Sequence, residues 1–455
     1  MSKDMTNGKP LKLILLFTIP MLIGNVFQQF YSMADTIVVG NFIGVKALAA
    51  VGATGGISFF VLGFIMGLAN GFSVIVAQRF GANDEEGLRH TVGMSIVLGA
   101  AITLVVTIIS VSGVRLLLEV MQTPADIIND SYKYISVIFA GTIATIAYNM
   151  ISSFLRALGD SKTPLIFLII ASILNVILDI AFIVVFHMGV EGTAYATILA
   201  QAIAFGLCLI YTKKKYPILH LSKRHFKLDK EIISNLLKIG IPGALSSSIT
   251  ALGVMILQGT INQLGSDVVA AYTAGTKVEQ FFTMPTMTLG MAMATFAGQN
   301  LGAGKIDRVK EGLLSSVKLV VAYSIIGGII LYFCGGLFTQ LFVSADQMNV
   351  INTSKEYLSF VAAFCWVLGL LFVYRSTIQG LGNGFIPMLS GAMELIMRVI
   401  AAIVLSGMFG FAGICMASPI AWIGADVLLI PYYHHMVKRL SIQFKAKENL
   451  LNEVV

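Results

Sequence analysis

The sequence predicts an all-α integral membrane protein whose twelve transmembrane helices form two six-helix lobes. Three observations carry that expectation: a composition too apolar for water, twelve long apolar stretches, and a second half that repeats the first. The 455 residues are 57% hydrophobic and only 12% charged, and the mean hydropathy is +0.86. Ordinary soluble domains carry about twice that charge. A helix of about 20 apolar residues spans one hydrocarbon core, so repeated stretches of that length call for a bilayer.

The stretches fall near residues 12–38, 47–77, 91–119, 131–157, 164–187, 190–212, 232–262, 268–298, 312–341, 355–381, 386–408 and 411–436. Their breaks carry turn chemistry: "RFGANDEEG", "LGDSKTP", "LGAGKIDR" and "LGNGFIP". The first stretch follows a short lysine-bearing tail without a small-residue cleavage site, and reads as a membrane helix rather than a removable signal.

An even number of spans puts both termini on one side. Of the 30 Lys and Arg residues, 23 lie in or beside the termini and the loops after even-numbered spans. Only Lys46, Arg115, Lys133 and Lys355 lie in or beside the opposite loops. That asymmetry predicts cytoplasmic termini in a cytoplasmic membrane. It also accounts for the net charge of +7 without a nucleic-acid partner. The division is a first lobe at 1–212, a basic cytoplasmic linker at 213–231, a second lobe at 232–437 and a cytoplasmic tail at 438–455. The four cysteines, Cys208, Cys334, Cys365 and Cys415, all fall inside apolar stretches and read as small buried residues.

The halves correspond at an offset of 221–223 residues. "FTIPML" at 17–22 matches "IGIPGA" at 239–244, and "GVKALAAVGA" at 44–53 matches "GSDVVAAYTA" at 265–274. "AQRFGAND" at 77–84 falls on "GQNLGAGK" at 298–305, and "RALGDSKTPL" at 156–165 on "QGLGNGFIPM" at 379–388. Six spans per half keep the two copies in the same orientation, as parallel repeats about an axis along the membrane normal. Two such lobes are a common solution for alternating access.

"IPMLIGNVFQQFYSMADTIVVGNFIG" at 19–44, "AQRFGA" at 77–82, "FLRALGDSKTPL" at 154–165 and "ILNVILDIAFI" at 173–183 resemble the MATE multidrug and toxic-compound extrusion transporters. The resemblance covers essentially the whole chain. It implies an efflux antiporter that expels organic, often cationic, compounds in exchange for inward H+ or Na+. The rival within the same superfamily is a flippase of lipid-linked saccharides or another amphipathic substrate. Those proteins often carry a cationic cavity, whereas the spans of the first lobe here carry acids. The sequence holds no "GxxxxGK[ST]" nucleotide loop and nothing that points to an enzyme. The expectation is a monomer without a cofactor, with small organic molecules and the bilayer as partners.

Charge inside a span is expensive and marks a functional hypothesis. Asp35 and Asp179 are the first lobe's acids within spans, apart from Glu119 and Glu191 at the very ends of theirs. At about 1.5 Å per residue, Asp179 lies about 22 Å from the inner end of its span, and Thr197 about 10 Å below the outer surface. Asn175 and Asp179 are four residues apart and share a helix face. In the family resembled, the positions matching Asp35, Asn175, Asp179 and Thr197 form a proton or cation site, at which Na+ is the metal to expect. Away from water a carboxylate favours its neutral form, which would tie ion binding to a change in helix packing. Pro20 and its repeat mate Pro242 each remove a helical hydrogen bond and are hinge candidates.

In the second lobe Asn175 becomes Arg398 and Asp179 becomes Ala402, so the acid pair is not duplicated. Glu394 and Arg398 have ion-pair spacing, and with Lys277, Glu279 and Asp426 they read first as a structural salt-bridge network. Glu279 and Asp426 are the candidates for a proton relay. Gln28, Tyr31 and Tyr148, polar on otherwise apolar spans, are candidates for a substrate cavity.

Overall fold

The computed structural model describes residues 4–262, 264–344 and 346–454. Among them every regular element is helical: α1 (Pro10–Val38), α2 (Val45–Ala53), α3 (Gly55–Gly81), α4 (Glu85–Val120), α5 (Ile128–Ala140), α6 (Thr142–Ala157), α7 (Lys162–Ile180), α8 (Val190–Lys215), α9 (Lys230–Asn262), α10 (Ser266–Gly302), α11 (Ile306–Thr339), α12 (Met348–Gly380), α13 (Phe385–Phe409) and α14 (Phe411–Val454). Ten of the helices are long and apolar enough to cross a membrane, and eleven spans result if α5 and α6, bent by 47° at Gly141, count as one. The predicted eighth span is α10, 37 residues long, whose in-span Lys277 and Glu279 lower its hydropathy. Large apolar side chains such as Ile109, Phe333 and Val427 stand 66–73% exposed. In water such a surface is a liability; against lipid it is the expected one.

Three boundaries differ from expectation. The predicted second span is broken at Thr54, where "GATGG" cannot hold a continuous helix. The predicted fourth span bends at Gly141. The predicted tail after 437 continues α14 as helix to Val454, with no proline or glycine to end it.

The chain divides into two compact units, one built on Ile19–Ser248, the other on Met5–Thr18 with Ile249–Val455. The leading turns of α1 therefore belong with the second unit and those of α9 with the first. The core of the first unit gathers Ile65, Leu68, Phe72, Ile135 and Phe139; that of the second gathers Leu257, Ile261, Leu331, Tyr357 and Leu358.

The repeat is written into the backbone. Positive φ recurs at matched positions: Gly44 (117°) and Gly265 (97°), Asn83 (56°) and Gly304 (72°), Gly159 (79°) and Gly382 (91°), His187 (53°) and Gly410 (58°). Left-handed backbone favours glycine, and the first half tolerates Asn and His at two of these turns. Matched turns also use matched caps. Asp160 accepts from the N–H groups of Lys162 (2.9 Å) and Thr163 (3.1 Å), and Asn383 accepts from Ile386 N–H (3.1 Å).

In each unit an incoming segment is anchored at the helix junction of the "GAND/GAGK" motif. Asn300 Nδ2 and Arg308 Nη2 donate to the carbonyl of buried Met5 (3.2 and 3.3 Å), and Arg308 donates also to that of Gly8 (2.9 Å). In the first unit Arg89 Nε donates to the carbonyl of Ile218 (3.2 Å), and Arg224 pairs with Glu86 (3.0 Å).

Candidate functional site

The site of the first unit forms where the far ends of α1 and α7 meet α8. Asp35 lies one turn before α1 passes into a π-helical turn at Val39–Ile43, and Asp179 directly precedes another at Ala181–Val185. Such wide turns are uncommon and gather at functional positions. Asn175 and Asp179 share a buried face of α7, 1% and 0% exposed. Thr197 on α8 accepts hydrogen bonds at its hydroxyl from Asn175 Nδ2 (3.3 Å) and Tyr31 Oη (3.2 Å).

Among the described residues the arrangement leaves four buried oxygens without a donor: Asp35 Oδ1, Asn175 Oδ1 and both carboxylate oxygens of Asp179. The two carboxyls are close enough to act on one another electrostatically. The Tyr31 hydroxyl lies beside Asp35, and Tyr134 of α5 is within electrostatic reach of both acids. Two unit charges about 4 Å apart repel by about 4 kcal/mol at an effective dielectric constant of about 20. An unoccupied, doubly ionised pair is thus an expensive state, which one proton or one oxygen-seeking cation relieves. Among the described residues no group of three His, Cys, Asp or Glu side chains is placed to hold a metal; the acid pair supplies two carboxyls, an amide oxygen and a hydroxyl instead.

The structure thus brings together Asp35, Asn175, Asp179, Thr197 and Tyr31. Tyr134 was missed from sequence, because a tyrosine on an amphipathic stretch carries no mark of what it faces. Gln28 shares the α1 face of Tyr31 and Asp35 by spacing but is exposed. Tyr148 is buried and donates to the carbonyl of Pro164 (3.1 Å), a tie between α6 and the start of α7. Pro20 and Pro242 lie inside continuous helices.

In the second unit Glu394 is shared between Arg398 (3.6 Å) on its own helix and Arg375 of α12, which also donates through Nε to Ser390 Oγ (3.0 Å). Spacing foretold the Arg398 pair; Arg375 is the partner that only packing reveals. Glu279 accepts a hydrogen bond from Tyr357 Oη. Both carboxylate oxygens of Asp426, 6% exposed, are without a hydrogen-bond partner among the described residues.

A family model described as MatE matches residues 20–181 and again 242–404. The chain belongs to the MatE family. The two matches start 222 residues apart and end 223 apart, so the family unit is the repeat itself. The probable multidrug resistance protein YpnP of Bacillus subtilis (strain 168) is 32% identical over 379 residues, 83% of this chain and 84% of that one. The multidrug export protein MepA of Staphylococcus aureus (strain N315) is 22% identical over 90% of each chain. An outward-facing multidrug resistance MATE transporter of the MOP superfamily superimposes with a TM-score of 0.89 at 23% identity, covering 96% of this chain and 98% of that one. This MatE protein is accordingly a multi-pass membrane transporter and not an enzyme.

Proposed function

We propose that this chain is a secondary antiporter that exports organic, often cationic, compounds from the cytoplasm, driven by inward movement of H+ or Na+ through the Asp35–Asp179 site. The carrying observation is the set of four donor-free buried oxygens on α1 and α7. The names of the relatives, multidrug resistance and multidrug export proteins, supply the substrate class.

When the site opens to water outside, an ion binds and cancels the repulsion between the two carboxyls. Asn175 contributes its free carbonyl oxygen, while its amide and the Tyr31 hydroxyl hold Thr197 in place. With the pair neutralised, the far end of α1 packs against α7 and α8 without the cost of an unpaired charge. Release of the ion to the cytoplasm restores the repulsion and resets the helix. The reading places both termini in the cytoplasm and the working unit as a monomer in the cytoplasmic membrane.

The test is efflux of a fluorescent organic cation from proteoliposomes under a pH gradient or a Na+ gradient imposed separately. Gradient-driven export by the wild type, lost in both Asp35→Asn and Asp179→Asn, is the expected result. Undiminished export by both variants removes the site from the mechanism. Movement of a lipid-linked saccharide without cation export would instead identify a flippase.

A further inference from the structure

In the second unit, facing sides of α11 and α14 enclose a groove of about 500 Å³. Lys310, Leu313, Leu314 and Val317 recur at helical spacing along α11, and His434, Lys438, Ser441 and Lys445 along α14, so each set shares one face. The groove is graded along its length. Its inner part is walled by Leu313, Val317, Tyr433, His434 and Val437 together with Tyr374 of α12, while the part toward the ends of α11 and α14 carries Lys310, Lys438 and Lys445. Lys310 is engaged by Asp307 at 2.7 Å, and Lys445 lies within electrostatic reach of the same carboxylate without forming an ion pair; Lys438 forms no ion pair among the described residues. Two hydroxyls in the lining, those of Tyr433 (2% exposed) and Ser441, have no hydrogen-bond partner among those residues.

We propose that this groove is a binding site for an anionic phospholipid of the cytoplasmic leaflet, its phosphate held by Lys438 and Lys445 and an acyl chain lying along Leu313 and Val317. The inference rests on the cytoplasmic placement of these helix ends given under the proposed function. Three features favour a lipid over a soluble anion. The apolar wall continues inward from the basic end, the flanking Leu314 and Ile442 are 55% and 61% exposed, and the charge changes to apolar surface over a distance along the helix of about 10 Å. That gradient matches the boundary between headgroup and acyl chain.

The experiment is native mass spectrometry of the purified full chain in detergent, titrated with phosphatidylglycerol, with phosphatidylcholine of the same acyl chains, and with inorganic phosphate. Binding is read without transport, so it is independent of whether the acid pair couples efflux. Phosphatidylglycerol is expected to bind about 25-fold more tightly than phosphatidylcholine, since each of the two basic residues at a lipid surface contributes about a factor of five. The double variant Lys438→Ala/Lys445→Ala is expected to erase that preference, while Lys213→Ala/Lys214→Ala in the linker leaves it within about threefold. Equal binding of the two lipids overturns the proposal, as does equal loss in the linker variant. Binding of inorganic phosphate as strong as that of phosphatidylglycerol overturns the lipid assignment in favour of a soluble anion.

Discussion

Asp179 has no exposed surface, and among the described residues neither of its carboxylate oxygens meets a hydrogen-bond donor. This separates it from Glu394, equally buried but claimed by two arginines. Opposite outcomes follow for the two acids. Asp179→Asn is expected to abolish gradient-driven efflux at normal membrane abundance, read by vesicle transport and by immunoblot. Glu394→Gln strands the buried Arg398 and takes the carboxylate from the half-buried Arg375, and is expected to lower stability by about 3–5 kcal/mol, read as a fall in melting temperature in detergent. Asn175→Ala removes one of the oxygens proposed to hold the ion and the donor that holds Thr197. Roughly a tenfold rise in the ion concentration for half-maximal transport is expected.

At the scale of elements, the first unit depends on α3 and the leading half of α9 coming into backbone contact. A Cβ added at Gly71 would lie 2.6 Å from Gly240 Cα, and one at Gly67 would lie 2.6 Å from the carbonyl oxygen of Gly243. Small residues permit such approach between membrane helices. Gly71→Ala is therefore expected to destabilise by about 1–3 kcal/mol, whereas Gly63→Ala, whose Cβ meets only Ser247 at 3.8 Å, should be neutral or stabilising in the same melting assay. The start of α9 has its own pH dependence. Asp229 caps it, accepting from the N–H groups of Ile232 (3.0 Å) and Glu231 (2.9 Å). The Ile232 N–H first, then that of Glu231 and the charges of His90 and Arg79, hold its carboxyl below the usual carboxylate range. A depressed pKa means that its stabilising effect is present above about pH 4, the unfolded value, and disappears as pH falls through the folded one. The melting-temperature gap between wild type and Asp229→Ala should thus be present at pH 7 and close as the pH drops below 4.

For the whole molecule, placement of the basic residues makes the orientation testable. Single cysteines introduced at Lys213 and Lys438 should react with an impermeant maleimide only from the cytoplasmic side, and one at Lys46 only from outside. Reaction of all three from one side would overturn the even-span topology. The two halves fold alike yet are chemically unlike. The backbone turns of one recur in the other at four matched left-handed positions, while Asn175 and Asp179 are replaced by Arg398 and Ala402, both buried. The acid pair is accordingly a property laid on the fold rather than a requirement of it.

The amino-acid sequence by itself determined the helices, the repeat, the turns between spans and the shared face of Asn175 and Asp179. These are local facts, set by hydropathy over about 20 residues, by glycine at left-handed turns and by the helical period. Only the tertiary structure decided that Asp35, 144 residues upstream, faces Asp179, that Tyr31 and Asn175 converge on Thr197, and that Arg375 joins Glu394. It also decided where an apolar span breaks, at Thr54 and Gly141, rather than continuing. The physical reason is one of range. A helix announces its own faces through its period, but which faces meet depends on packing between segments far apart in the chain. Which oxygens then remain without a donor is a property of that meeting alone.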